Sequence, residues 1–281
     1  MVVKADSVNP IGCFKGRGTW LAVSRLVASD GVGESRGLVV ASAGNFGQGV
    51  AYAARAHGVP VTVFGSRRAN AAKVDAMRLL GAEVRLVGDD FDAARAEAAT
   101  YAAERGWQLV VDGQDPWIAI GAGTMALELT EAIERGDLPP LAAAYVPVGN
   151  GALIGGVGTW LKAASPATRV VGVQAERAPA MTLSWQQHRT IETERADTIA
   201  DGIATRVPVP EALEVMAGTV DEMVLISEEA ILAAQDELRR ALPLAIEPSA
   251  AASWAAARQG ANDAGAVLVI LTGGNLPPPE A

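Results

Sequence analysis

Short apolar runs alternate with helical segments along almost the whole chain, and this alternation constrains the possible folds most. In the first half, strands are predicted over 37–43, 59–65, 82–87 and 108–111, and helices over 45–57, 69–80 and 90–105. Gly58, Gly81 and Gly106 each follow one of these helices, at the position where glycine readily takes the left-handed conformation that ends a helix. Repeated β-α-β units of this kind predict a parallel sheet covered by helices.

The same alternation resumes after Pro139 and Pro140. Here strands are predicted over 142–148, 169–175, 222–226 and 266–271, and helices over 151–164, 227–242 and 249–258. The polar stretch between Pro179 and Pro210 has weak periodicity and predicts a loop. We therefore predict an α/β protein with two open, mostly parallel sheets and helices on both faces.

The composition argues against several classes of function. The formal net charge is −9 without a compensating basic cluster, which disfavours a nucleic-acid partner. Cys13 is the only cysteine, and neither His57 nor His188 has a neighbour at metal-ligand spacing, so a disulfide framework and a zinc site are both disfavoured. The sequence contains no apolar run of about 18 residues, the length needed to cross a membrane, and its first residues do not show a signal-peptide pattern. The cytoplasm is the expected location.

Three glycine-rich turns follow predicted strands, at 41–48, 148–156 and 271–275. In the first two, a strand leads through small residues into a helix, so backbone N–H groups at the helix N-terminus could hold an anion. Neither turn matches the Walker A motif or the dinucleotide fingerprint. Ligands of open α/β sheets bind at the carboxyl ends of the strands, and these turns are therefore candidate binding loops.

A lysine motif, Asn9-Pro-Ile-Gly-Cys-Phe-Lys-Gly-Arg-Gly18, precedes them. It places Lys15 beside Phe14, between glycines and at the start of a helix. A lysine amine attacks a carbonyl only in its neutral form, which a ring, a nearby cation and a helix N-terminus all favour. Because most lysines are solvated surface residues, Lys15 becomes a strong candidate for a catalytic residue only when it is considered together with the glycine-rich turns.

Taken in order, these motifs resemble the pyridoxal-phosphate enzymes of the tryptophan-synthase-β group (fold type II), and most of all the threonine/serine dehydratases, or ammonia-lyases. The resemblance covers nearly the whole chain. It rests on the lysine motif with Pro10, Phe14, Lys15, Arg17 and Gly18, on Ser-Ala-Gly-Asn at 42–45, Gly-Asn-Gly-Ala-Leu at 149–153, Thr-Ile-Ala-Asp-Gly-Ile-Ala at 198–204, Glu-Pro-Ser at 247–249 and Thr-Gly-Gly-Asn at 272–275.

The resemblance implies a role for each motif. Lys15 would form the covalent link to pyridoxal 5′-phosphate and, once the substrate displaces it, take the α-proton. Phe14 would flank the cofactor, Asn45 would hydrogen-bond its 3′-oxygen, and Thr272 would face its pyridine nitrogen. The cofactor phosphate would be held by backbone amides of Gly149, Asn150, Gly151, Ala152 and Leu153. The substrate carboxylate would be bound by the loop of Ser42, Ala43, Gly44, Asn45 and Phe46.

Departures from the family pattern sharpen the expectation. Phe46 replaces a common histidine or threonine, which leaves the preferred side chain of the substrate open. Ala43 lacks the hydroxyl that racemases of this group use as a second base, so racemisation is disfavoured. Residues Gln174, Ala178 and Ala180 stand where those relatives bind a divalent cation, and since none is a carboxylate we expect no metal. Ala152 requires a negative φ, because it replaces a glycine of the phosphate loop.

The relatives carry a further strand and helix before the lysine motif, whereas Lys15 lies close to Met1, so an N-terminally short large domain is expected. We assign residues 1–36 and 115–281 to this cofactor-binding domain and residues 37–114 to a small, mobile substrate-loop domain. The assembly is left open, with a homodimer as one candidate.

The expected reaction is α,β-elimination from a 3-hydroxy amino acid of the threonine or serine type, giving a 2-oxo acid and ammonia. The neutral hydroxyl of Thr272 would make the cofactor ring a weaker electron sink than an aspartate would, which suits loss of a β-substituent. Two alternatives stay open. One is a threonine synthase-like or β-replacement enzyme, and the other is a protein that binds the cofactor or an amino acid without turnover.

Local structural roles are also open for three polar residues. Ser42 could N-cap the helix that follows it rather than bind substrate. Arg17 could form an ion pair within its helix turn. His57, at the end of a predicted helix, could simply complement the helix dipole.

Overall fold

The computed structural model describes residues 1–33, 35–89, 91–260 and 265–276. The chain divides into two compact units. The first, the five-strand unit, comprises Met1–Val8 and Ala122–Gly274. The second, the four-strand unit, comprises Asn9–Gly121 together with the segment that begins at Asn275.

The strands and helices alternate along the chain. The strands are β1 (Val2–Ala5), β2 (Leu38–Ala41), β3 (Val61–Gly65), β4 (Glu83–Leu86), β5 (Gln108–Val110), β6 (Leu141–Pro147), β7 (Arg169–Ala175), β8 (Glu222–Ile226) and β9 (Ala266–Leu271). The α-helices are α1 (Lys15–Ala28), α2 (Asn45–Ala56), α3 (Ala71–Leu79), α4 (Phe91–Arg105), α5 (Pro116–Glu134), α6 (Ala152–Ala164), α7 (Ala180–Gln187), α8 (Pro210–Thr219), α9 (Glu228–Ala241) and α10 (Pro248–Gln259).

The five-strand unit is built on a parallel sheet of order β1-β9-β6-β7-β8. Helix α10 packs on strands β6 to β9 and beside α9. Its buried face consists of small residues, which let the helix approach the sheet closely. These residues are Ala250, Ala251, Ala252, Ala255, Ala256 and Ala257.

The four-strand unit has a parallel sheet of order β4-β3-β2-β5. Leu38, Val39 and Val40 of the inner strand β2 are fully buried, as an apolar strand covered on both faces should be. Helices α1 and α2 pack closely, and a Cβ on Gly49 of α2 would lie 2.7 Å from Thr19 Oγ1 of α1. This close approach fixes the helix that begins at Lys15.

The predicted α/β class with two parallel sheets is confirmed. Strands β7, β8 and β9 have the predicted bounds, and strands β2 to β6 differ from prediction by one or two residues at one or both ends. The glycines that follow α2, α3 and α4 have positive φ, at +66° for Gly58, +87° for Gly81 and +63° for Gly106. The glycines that follow the predicted helices therefore marked the ends of these helices correctly.

Other parts of the prediction were wrong or incomplete. The stretch between Pro179 and Pro210 contains helix α7, which is too short to show a clear apolar stripe. Strand β1 and helices α5 and α8 were not predicted. Helix α5 carries Gly121, where a Cβ would lie 2.6 Å from the carbonyl oxygen of Arg17. Glycine disfavours a helix locally, and it is present here because the backbone of α1 lies so close.

The two compact units divide the chain differently from the predicted domains, since residues 9–36 and 115–121 belong to the four-strand unit. The predicted large domain of 1–36 and 115–281 and the mobility of a small domain of 37–114 stay predictions. Among the helices of the described residues, none combines the length and apolar character needed to cross a membrane.

Candidate active site

The amine of Lys15 is enclosed within the four-strand unit. Lys15 is the first residue of α1, and its Nζ donates a hydrogen bond to Asp112 Oδ2 at 2.6 Å. The ring centroids of Phe14 and Phe46 lie 4.8 and 5.6 Å from the same nitrogen. The side chains of Lys15 and Asp112 are only 15% and 12% exposed. A lysine held in this way differs from the solvated surface lysine that is usual in proteins.

Asp112 was not predicted as a site residue. It lies two residues beyond the end of β5, and β5 pairs in parallel with β2. The carboxyl ends of neighbouring parallel strands lie at the same edge of a sheet, so Asp112 and the turn after β2 share one edge. The sequence did contain a signal for a turn at this position, the Asp-Gly pair after a predicted strand. Gly113 has a φ of +86°, the left-handed conformation that glycine adopts in turns.

The predicted substrate loop connects β2 to α2, with Ala43 buried only in part. Gly44 is the N-cap of α2, and no side chain of the described residues makes the cap bond. The Oγ of Ser42 accepts from Gly44 N at 3.4 Å, so Ser42 is not the N-cap, and that alternative is corrected. A Cβ on Gly47 would collide with the Ser42 carbonyl. Because the N-cap residue Gly44 has no side chain that could cap the helix, the N-terminus of α2 suits an anion.

Asn275 ties the lysine loop to the start of α2. Its Nδ2 donates to the carbonyl oxygen of Ile11 at 2.8 Å, to Asn45 Oδ1 at 3.0 Å and to Gln48 Oε1 at 3.3 Å. Because Asn45 faces Asn275 with its oxygen, its own Nδ2 donor is turned to the other side of the amide. The sequence placed Asn275 in a motif and assigned it no role. The structure shows that it forms a hydrogen bond to the side chain of Asn45.

The predicted phosphate loop belongs to the five-strand unit and connects β6 to α6. Gly151 is the N-cap of α6 with a φ of +91°, and a Cβ there would lie 2.7 Å from Ala212 Cβ. At Gly149 a Cβ would lie 2.6 Å from the carbonyl oxygen of Gly202. Asn150 accepts a hydrogen bond from Thr205 Oγ1 at 3.3 Å.

Helix α6 opens with Ala152 and Leu153, both buried, and within the described part of the chain no side chain caps it. Ala152 does not have a positive φ, which meets the condition set by its side chain. A buried helix N-terminus without an acidic residue in its first turn suits a phosphate, since its N–H groups and dipole favour negative charge.

The other predicted motifs of the five-strand unit lie beside one another. Thr272 directly follows β9, the parallel neighbour of β6, and is 6% exposed. The N–H of Glu247 donates to the Gly273 carbonyl at 3.0 Å, and the N–H of Gly202 donates to Ser249 Oγ at 2.9 Å. The motifs at 198–204, 247–249 and 272–275 are therefore linked by hydrogen bonds from backbone donors.

The remaining predicted residues have local roles. His57 Nε2 lies 2.9 Å from Ser24 Oγ at the end of α2. Gln174 is fully buried, and its Oε1 accepts from Thr182 N at 2.8 Å and from Thr182 Oγ1 at 2.9 Å. Within the residues that the structure describes, no group of three His, Cys, Asp or Glu side chains could hold a metal ion. The expectation of no metal stays a prediction.

Comparison with known proteins supplies independent observations. Residues 1–273 match the family model described as "Pyridoxal-phosphate dependent enzyme". The chain is 36% identical over 275 residues to the L-threonine ammonia-lyase of Thermotoga maritima, covering 98% of this chain and 67% of the relative. It is 35% identical to the L-threonine ammonia-lyase of Geobacter sulfurreducens, covering 97% of this chain and 66% of the relative.

Among solved structures, the chain resembles the threonine deaminase of T.th., with a TM-score of 0.90 and 32% identity. The likeness covers 98% of this chain and 87% of that one. The chain thus spans about two thirds of the length of the two ammonia-lyases, and most of the length of the solved deaminase.

Proposed function

Because the chain belongs to the family of pyridoxal-phosphate-dependent enzymes, we propose that it is an ammonia-lyase that acts on a 3-hydroxy amino acid, with L-threonine as the first substrate to test. The observation that carries the proposal is the enclosed amine of Lys15, at the position that the lysine motif predicted. The names of the ammonia-lyases and of the solved deaminase support the same reaction. They also confirm the resemblance to threonine/serine dehydratases.

Each compact unit contains residues that would fit part of the cofactor. Lys15 supplies the amine for the covalent link, and Phe14 supplies a ring beside it. The turn from Gly149 to Leu153, which leads into the N-terminus of α6, supplies phosphate donors. Asn45 presents an amide donor for the 3′-oxygen, and Thr272 supplies a neutral hydroxyl for the pyridine nitrogen. Pyridoxal phosphate, when bound, withdraws electrons from the α-carbon of an amino acid and so makes its proton easier to remove.

The chain's own residues would then carry out the proton transfers and the binding. Lys15 Nζ takes the proton from the α-carbon as a general base. The N–H groups at the start of α2 bind the substrate carboxylate, which fixes the α-hydrogen relative to the lysine. Phe14 and Phe46 limit the access of water to the amine. The β-hydroxyl leaves as water, and the released enamine takes up water to give the 2-oxo acid and ammonia.

The test is release of a 2-oxo acid and ammonia from a panel of 3-hydroxy amino acids. We expect turnover of L-threonine or L-serine by the wild type and none by Lys15→Ala. Borohydride reduction of the loaded protein should attach the cofactor to the peptide that contains Lys15. Lys162→Ala is the matched control, because Lys162 is half-exposed and paired with Asp221. This variant should retain both the label and the activity.

Three results would contradict the proposal. Label on a different lysine would remove Lys15 from the centre of the reaction. Label on Lys15 without any 2-oxo acid would exclude the lyase, and phosphate release from O-phosphohomoserine would then select the threonine synthase-like alternative. A chain that binds no cofactor under any condition would leave the non-catalytic alternative.

We also propose the cytoplasm as the location and a homodimer as the assembly. The single cysteine supports a reducing compartment. Light scattering of the purified protein tests the assembly, and a mass equal to one chain would refute it.

A further inference from the structure

Asp112 is the acidic side chain in direct contact with the Lys15 amine. We infer that it is a positioning residue for the reaction, which holds Lys15 Nζ by a charge-assisted hydrogen bond that must break before the amine can react. The inference rests on the proposed function, because it takes Lys15 as the residue that captures the cofactor and removes the α-proton. Neither the family match nor the sequence motifs assign a role to Asp112.

The geometry is that of a tight ion pair. Lys15 Nζ and Asp112 Oδ2 are 2.6 Å apart, the distance of a charge-assisted hydrogen bond. The rings of Phe14 and Phe46 lie 4.8 and 5.6 Å from the nitrogen, within the range of cation–π attraction. Little water competes with these contacts, since the two charged side chains are only 15% and 12% exposed.

This arrangement has opposite effects on the two tasks of Lys15. To attack a carbonyl carbon, the nitrogen must break its hydrogen bond to Asp112 and release a proton to water, because only the neutral amine has a lone pair. Capture of the cofactor is therefore slowed by the hydrogen bond. After Lys15 takes the α-proton it is again an ammonium, and the same carboxylate then stabilises it. Proton removal from the substrate is therefore assisted.

The turn after β5 contains a second aspartate that serves as a matched control. Asp112 and Asp115 belong to the same short segment between β5 and α5. Asp115 Oδ1 accepts from Trp117 N at 2.9 Å, as a residue that caps the start of α5 does. Asp112 instead reaches a lysine 97 residues away in the chain. The two side chains are chemically identical, but they form hydrogen bonds to different partners.

The experiment compares Asp112→Asn with Asp115→Asn in two measurements. The first uses the protein before cofactor is added. Acetic anhydride labels neutral amines, and the labelling rate of Lys15 is followed by peptide mass spectrometry near neutral pH. We expect Asp112→Asn to raise this rate about three- to tenfold, because a neutral hydrogen bond replaces a charge-assisted one. Asp115→Asn should leave it unchanged.

The second measurement uses the loaded enzyme with L-threonine and its α-deuterated form. We expect Asp112→Asn to lower kcat by about tenfold and to raise the deuterium isotope effect, because removal of the α-proton becomes more rate-limiting. Asp112→Glu, which keeps the carboxylate, should recover part of both values. Faster labelling together with slower proton removal is the expected result, and a merely structural role would not produce it.

Several outcomes would overturn the inference. The role is wrong if Asp112→Asn leaves the labelling rate of Lys15 unchanged or lowers it, or if Asp115→Asn changes it equally. An unchanged isotope effect in an active Asp112→Asn enzyme would also contradict it. If Asp112→Asn does not fold, as judged by circular dichroism, Asp112→Ser is measured by the same criteria. A wild type without lyase activity refutes the proposed function separately, while the labelling still tests the Lys15–Asp112 bond.

Discussion

Replacing Asn275 tests how the site is held in place by a side chain at the far end of the chain. The Nδ2 of Asn275 has two hydrogens for three acceptors, at 2.8 Å from Ile11 O, 3.0 Å from Asn45 Oδ1 and 3.3 Å from Gln48 Oε1. The two shorter bonds therefore carry most of the interaction. Asn275→Ala removes both, including the bond from Asn275 to Asn45 Oδ1.

The expected loss follows from the number of bonds. A hydrogen bond contributes a net 0.5–1.5 kcal/mol, so two such bonds give a loss of about 1–3 kcal/mol in the free energy of unfolding. For a chain of this size this corresponds to a Tm lower by about 2–4 °C for each kcal/mol. We also expect weaker binding of pyridoxal phosphate, because Asn45 would no longer hold its donor toward the 3′-oxygen.

Two further variants separate the hydrogen bonds from the volume of the side chain. Asn275→Asp keeps the shape and replaces the donor by an acceptor, which would face three acceptors, so it should be at least as unstable as Asn275→Ala. Gln48→Ala removes only the longest of the three contacts, at 3.3 Å, and should cost less than about 1 kcal/mol.

The measurements are urea unfolding of the cofactor-free protein and titration with pyridoxal phosphate. The reasoning is refuted if Asn275→Asp is as stable as the wild type. It is also refuted if Asn275→Ala unfolds within about 0.5 kcal/mol of the wild type, which is the size of effect expected of a surface substitution without such bonds. A stable Asn275→Ala with unchanged cofactor affinity would show that Asn45 is oriented by other contacts.

Three further predictions concern stability and are checked by denaturant unfolding. Gly49→Ala should destabilise by about 1–3 kcal/mol, because its Cβ would lie 2.7 Å from Thr19 Oγ1. Gly151→Ala should cost a similar amount, about 1–3 kcal/mol, because φ is +91° and the space is filled, and it should weaken cofactor binding. For Asp221 burial raises the pKa, but hydrogen bonds from Lys162 and from a backbone N–H outweigh burial and lower the pKa overall. The half-exposed ion pair of Asp221 and Lys162 should contribute less than about 1 kcal/mol, so Asp221→Asn should lower the free energy of unfolding near neutral pH by no more than this. The difference in free energy of unfolding between variant and wild type should shrink as the pH falls below about 4.

Each of these predictions has a control. Gly218 in α8 has open space among the described residues, with no heavy atom within 4 Å of where a Cβ would lie, so Gly218→Ala should stabilise by up to about 1 kcal/mol. Equal effects at Gly49 and Gly218 would contradict the close contact with α1. Gly58 has a φ of +66° but open space among the described atoms, so Gly58→Ala should cost only about 1 kcal/mol. A difference for Asp221→Asn that grows in acid would contradict the sign of the pKa shift.

Much of the candidate site could be predicted because its motifs are local. Lys15 at the start of α1, the turn from Ser42 to Phe46 and the turn from Gly149 to Leu153 each lie where a strand or loop meets a helix. Such a junction is visible in a few neighbouring residues, since small residues and a change of periodicity suffice to mark it. The fold class was predictable for the same reason.

The sequence by itself determined most of the order of strands and helices, because alternating apolar runs and glycines at helix ends are properties of neighbouring residues. Only the tertiary structure decided which side chains meet. Asp112 contacts Lys15 across 97 residues, and Asn275 contacts Ile11 across 264 residues. Gly121 is placed within a helix because the backbone of α1 passes beside it. These contacts depend on strand order and on helix packing, so no local pattern can indicate them, and they hold the lysine that the sequence had already singled out.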